Sequence, residues 1–219
     1  SDWSSDVCSS DLGGSSSSSP LAGIGASREV VTMLAYELPM VMSILAVCKK
    51  AGAFMGTNVS FSLLGIQGFQ VVDGMGLFHI TLIPAAIAFS MVIPAEVGVV
   101  PFDMAEAETE ICEGPLVEYS GLYLALYKLT SQIKAFIMSG LFVALFLGGK
   151  GIGVTGNATL NIILNIILFL ILTLVVMFIS ITLVRAIAGR FKINQGLKFF
   201  WTVPAVLSLI SFLAITLAM

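Results

Sequence analysis

Residues 158–184, "ATLNIILNIILFLILTLVVMFISITLV", form an uninterrupted run with no ionisable side chain. A helix needs about 20 mainly apolar residues to cross the hydrocarbon core of a bilayer. This run exceeds that, so it reads as a membrane-spanning helix. The whole chain agrees: 219 residues are 58% hydrophobic and only 11% charged, with a mean hydropathy of +1.04. Such values belong to integral membrane proteins. The formal net charge of −3 includes Asp2, Asp6 and Asp11 in the first twelve residues, so the remainder balances its acids and bases. No overall field would recruit nucleic acid.

Four more stretches satisfy the same length test, giving expected spans at about 29–48, 77–95, 122–148, 158–184 and 201–219, and an all-α polytopic fold. Lys128 and Lys134 interrupt the third. Snorkelling accounts for Lys128, whereas Lys134 lies too deep to reach water as readily. Loop 49–76 alternates in "VSFSLLGIQGFQVV" and is expected to form a short hairpin. Five crossings put Arg28, Arg185, Arg190, Lys192 and Lys198 on one side and Lys49, Lys50 and Lys150 on the other. The positive-inside rule then sets loop 96–121 and the basic loop 185–200 in the cytoplasm.

Residues 1–19, "SDWSSDVCSSDLGGSSSSS", have no basic n-region or apolar h-region and are not a signal peptide. Their serine-rich composition reads as a disordered tail. The first twelve also resemble translated sequencing-adapter read-through. Cys8, Cys48 and Cys112 are widely separated and His79 is the one imidazole, so no metal site and no redox cofactor is expected within this chain. The glycines of "GGKGIGVTG" lack the Ser or Thr register of a phosphate loop and read as an inter-helix turn.

Two places carry ionisable groups against this background. Glu37 lies near the middle of the first segment, where an acidic side chain costs about 2.5–3.5 kcal/mol on insertion scales. It is a candidate proton-relay carboxyl, the alternative being an interhelical hydrogen bond or ion pair. Pro39 follows it and would loosen the backbone locally. The second place is "PAEVGVVPFDMAEAETEICEGPLVEYSG", residues 94–121, with Glu96, Asp103, Glu106, Glu108, Glu110, Glu113 and Glu118. Asp103 as N-cap and Glu106 as the capping-box partner explain two of these acids. On the resulting helix Asp103, Glu106, Glu110 and Glu113 share one face and repel, so they require a positive partner or shared protons. Crowded, partly buried carboxylates titrate as a coupled set, which suits them to link a nearby charge change to proton uptake. Tyr119, Tyr123 and Tyr127 follow at helical spacing as an interfacial belt or a polar lining.

The string "PFDMAEAETEICEGPLVEYSG" resembles the signature of the respiratory complex I subunit 1 family, which includes the membrane subunit of group 4 energy-converting nickel–iron hydrogenases. It matches at Pro101, Phe102, Asp103, Glu106, Glu108, Glu110, Gly114, Glu118, Tyr119 and Gly121. "MLAYELPM" is similar to the family's intramembrane S/A-Y-E-x-P motif at Tyr36, Glu37 and Pro39, and "RFKINQGLKFFW" to its late basic loop. Family members have about eight transmembrane helices, so the resemblance implies an N-terminally truncated member. It further implies a subunit with no catalytic centre of its own that couples redox energy to ion movement. Expected partners are hydrogenase-like or complex I-like peripheral subunits at the acidic loop, antiporter-like membrane subunits and the lipid bilayer. Those partners would carry the iron–sulfur clusters and nickel–iron centre, or in a complex I the flavin and quinone. Two departures favour the hydrogenase branch. Val99 stands where the complex I pattern usually has an Arg two positions before the Pro of P-F-D, and Thr130, Ser131 and Gln132 occupy the helix region where that pattern has an acid.

Overall fold

The structure, a computed structural model, describes residues 20–104, 120–149 and 158–217. The described residues are helical, with no strand among them. In chain order they form α1 (Pro20–Phe54), α2 (Leu63–Asp73), a 3-10 turn (Gly76–Phe78), α3 (Ile83–Val97) and α4 (Leu122–Phe142), which runs on into a π-helical turn (Val143–Leu147). Then come α5 (Ala158–Met177), continued by a π-helical turn (Phe178–Leu183) and α6 (Val184–Ile187), and finally α7 (Ile193–Thr202) and α8 (Pro204–Leu217).

Four segments are long and apolar enough to span a membrane: Ala22–Phe54, Leu122–Leu147, Thr159–Ile187 and Ile193–Leu217. The expected second span is different. Proline favours the opening turn of a helix, and Pro84 starts α3 there, leaving residues 77–82 to turns. At 15 residues α3 is about 22 Å long, short of the hydrocarbon thickness. It is the most enclosed helix of the bundle, with Ala85, Ala86, Ala88, Phe89, Val92 and Ile93 all buried. A helix apolar on every side belongs inside others.

The hairpin expected in 49–76 is not formed. Residues 55–62 turn back against the end of α1, with the Thr57 amide donating to the Gly52 carbonyl at 2.9 Å and the Ser60 amide to the Cys48 carbonyl at 3.0 Å. A side chain at Gly52 would strike the Val59 backbone within 3 Å, so glycine is needed for this approach. Then α2 buries Ile66, Phe69 and Gln70 at helical spacings of three and four. The apparent alternation came from small and polar residues falling between apolar ones, without a second strand to pair with. The basic loop is also shorter than expected, because α7 begins at Ile193 and joins α8 across Val203.

Around α3 pack α1 and α8 on one side and α4 on the other, with α5 outermost against α4. Phe89 of α3 meets Phe142 and Phe146 at 6.1 Å each, and those two rings are 5.1 Å apart. Gly140 lets α4 lie against Phe169 and Thr173 of α5, the small-residue packing expected where lipid supplies no hydrophobic drive between helices. Hydroxyls are met internally: Ser43 donates to Pro39 O, Ser139 to Ala135 O and Thr173 to Phe169 O. Helix α1 runs unbroken through Pro39. The outer face of α5 exposes Ile162, Ile166, Leu170 and Leu174, as a lipid-facing helix should.

Candidate functional site

At one end of the bundle three helices bring polar groups together. Helix α3 ends on Gly98 at φ 71°, ψ 31°, with the Gly98 amide donating to Ala95 O and the Val99 amide to Pro94 O. Glu96 therefore sits in the last turn, where the helix dipole disfavours negative charge. Compensation comes from α4: Lys134 Nζ lies 2.9 Å from Glu96 Oε1, and the Glu96 side chain is 12% exposed. One turn earlier Ser131 Oγ donates to the Val97 carbonyl at 3.4 Å. From α1 the buried Tyr36 hydroxyl donates to the Glu96 carboxylate. Lys134, the lysine that snorkelling does not readily account for, is thus the counter-ion of Glu96.

The chain beyond Glu96 is strapped to the basic turn. Phe102 inserts among Phe191, Phe199 and Phe200 at centroid distances of 5.7, 5.6 and 4.7 Å, and Phe200 in turn meets Tyr36 edge-on at 6.0 Å. The Phe191 amide donates to Pro101 O at 3.0 Å. Arg190 Nη2 donates to Asp103 Oδ2 at 2.6 Å. Met104 fills the space that Gly196 leaves open on α7. Asp103, the one acid of the expected helix face among the described residues, thus takes its positive partner from the turn between α6 and α7.

Of the site residues expected from sequence, Tyr36, Glu96 and Lys134 converge on one another. Asp103 joins them through the aromatic strap, its carboxylate bound to Arg190. Glu37 is half-buried one position beyond Tyr36 on α1, and among the described residues its carboxyl makes no hydrogen bond or ion pair. Glu106, Glu108, Glu110, Glu113, Glu118 and Tyr119 lie outside the described residues, so the capping box is seen only at its Asp103 end. Tyr123 is exposed on the first turn of α4 and Tyr127 is half-buried. Arg190 and the Phe102 cluster were missed. The one available signal was the run "RFKINQGLKFFW", whose aromatics surround its cations.

Phe102→Ala will open a cavity beneath the strap and cost about 3–5 kcal/mol. A fall in the thermal midpoint of the solubilised complex checks it. Phe102→Leu, which keeps most of the volume, will cost distinctly less.

The NADH dehydrogenase family model matches residues 4–216. The chain belongs to the NADH dehydrogenase (complex I subunit 1) family. Among curated relatives, Hydrogenase-4 component C of Escherichia coli (strain K12) is 39% identical over 136 residues, covering 62% of this chain and 40% of that protein. The H subunit of NADH-quinone oxidoreductase from Geobacillus kaustophilus (strain HTA426) is 33% identical over 199 residues, covering 91% of this chain and 55% of that protein. The chain thus spans about half the length of the curated relatives it matches. A solved chain of the membrane-bound sulfane sulfur reductase, an archaeal respiratory membrane complex, aligns with a TM-score of 0.80 at 32% identity, covering 94% of this chain and 64% of that one. With four helices long and apolar enough to span a bilayer, this complex I subunit 1-like chain is a membrane protein.

Proposed function

We propose that this chain is a non-redox membrane subunit of an energy-converting hydrogenase or related ferredoxin-linked complex, coupling electron transfer in a peripheral arm to proton or sodium movement. It lies in a prokaryotic plasma membrane with the strap facing the cytoplasm. The observation that carries this is the Tyr36–Glu96–Lys134 junction, an ionisable cluster held between three apolar helices and tied to the P-F-D strap. A charge change on a subunit docked at the acidic segment would be felt at Asp103 and Arg190, and through Phe102, Phe200 and Tyr36 at Glu96. Glu37, Glu106, Glu108, Glu110, Glu113, Glu118 and Tyr119 extend the relay, in line with the family resemblance. Iron–sulfur clusters and the nickel–iron centre belong to the peripheral subunits, and antiporter-like subunits adjoin in the membrane.

The alternative is the quinone-site subunit of an NADH-quinone oxidoreductase, favoured by the longer alignment with the Geobacillus kaustophilus protein. Val99 weighs against it, standing where the complex I pattern usually has an Arg, as do Thr130, Ser131 and Gln132, which stand where that pattern has an acid. Membrane vesicles separate the two. Ferredoxin-dependent hydrogen evolution with ion pumping that ignores quinone-site inhibitors is expected. Inhibitor-sensitive quinone reduction would sink the hydrogenase reading.

A further inference from the structure

At the end of the bundle away from the strap, Gln70 of α2 is 1% exposed. Its Nε2 donates to the Leu145 carbonyl at 2.6 Å. Its Oε1 is shielded and, among the described residues, meets no donor. Leaving a buried acceptor unmet is costly, so the carboxamide is not there merely to fill space. Two glycines make room for this contact. A side chain at Gly76 would crowd Leu145 O at 3.4 Å, and one at Gly148 would occupy the place of the Gln70 carboxamide oxygen.

Leu145 lies in the π-helical turn that ends α4. The last carbonyls of a helix have no partners within it, and away from water they must find one elsewhere. A π turn also absorbs an extra residue, so the helix before it is rotated by about 100° relative to a continuous α-helix. The half of α4 before the turn carries Ser131 and Lys134, which reach the end of α3. The turn itself carries Val143 and Phe146, packed in the core. With the turn held and the extra residue kept, both sets face inward together. Were the turn to relax to α geometry with Phe146 still in the core, Lys134 would swing away from Glu96.

We propose that Gln70 is a positioning residue, holding the Leu145 carbonyl so that the π turn persists and α4 keeps the register that aims Lys134, midway along the helix, at Glu96. Its bearing on ion movement rests on the reading of the Lys134–Glu96 pair given above, while the register itself does not.

The test uses the assembled complex in membranes, with nitroxides on encoded ketone side chains at Ile133, exposed on α4 before the turn, and Val41, exposed on α1. Gln70→Met keeps the volume and removes the donor. It is expected to shift the interspin distance by up to about 8 Å, the displacement of a surface point on a helix of this radius turned through one residue. The proton-to-electron ratio is expected to fall at least twofold. Gly148→Ala, which displaces the carboxamide while leaving residue 70 intact, is expected to give the same shift and supplies the measurement should Gln70→Met not assemble. A shifted distance with an unchanged ratio leaves the latch standing and removes the Lys134–Glu96 pair from coupling. Unchanged distances overturn the proposal.

Discussion

Replacing Lys134 with methionine will destabilise the assembled subunit by about 3 kcal/mol, the lower end of what removing one partner of a buried ion pair costs, because this pair is only partly buried. The carboxylate of Glu96, 12% exposed and 2.9 Å from Nζ, would be left at the negative end of the α3 dipole with, among the described residues, the Tyr36 hydroxyl to meet it. The loss is expected to be asymmetric. Glu96→Gln alone strands a lysine that is 27% exposed on a flexible stem, so it should cost distinctly less. The double variant, with both charges gone, should recover most of the stability that Lys134→Met forfeits. Thermal midpoints of the detergent-solubilised complex, combined as a double-mutant cycle, give the coupling energy directly. A Lys134→Met change within about 0.5 kcal/mol of the parent would show that the two groups are solvated separately, and the junction would lose its claim to be a buried relay.

What the sequence disclosed follows from range. Helix α5 was legible because its signal is local: a long run with no ionisable side chain has few other fates. The P-F-D segment was legible because its residues stand close together in a specific order. The boundaries of α3 were misjudged although Pro84 was in plain view, since hydropathy alone does not distinguish an apolar turn from an apolar helix. Helix α2 was mistaken for a hairpin because Ser, Gly and Gln between apolar residues imitate a period of two, and only the burial of Ile66, Phe69 and Gln70 reveals the helical one. The ion pairs were out of reach for a different reason. Asp103 and Arg190 are 87 residues apart in the chain, and nothing in either neighbourhood names the other. Sequence could say that Lys134 and the acids needed partners, because an unpaired intramembrane charge is expensive. It could not say which, since that depends on the order in which α1, α3, α4 and α7 pack.

Glu37→Gln will uncouple ion movement from electron transfer while leaving assembly intact. Successive residues on a helix point about 100° apart, so Tyr36 can turn inward to Glu96 while Glu37 faces sideways. That side of α1 exposes Leu34, Leu38 and Val41, so the carboxyl lies half-buried amid apolar surface. An acidic side chain near the middle of a spanning helix costs about 2.5–3.5 kcal/mol on insertion scales. Because the carboxyl has no hydrogen bond or ion pair among the described residues, the fold loses little when it becomes an amide, which sets Glu37 apart from Glu96. What it loses is the one property an amide lacks, the ability to load and release a proton. The expected result is an unchanged yield of complex, near-parental electron transfer and a proton-to-electron ratio reduced at least twofold in sealed vesicles. Glu108→Gln with Glu110→Gln is expected to lower the same ratio from the docking side. An unchanged ratio in the Glu37 variant would remove its carboxyl from the relay and confine the relay to the Tyr36–Glu96–Lys134 junction.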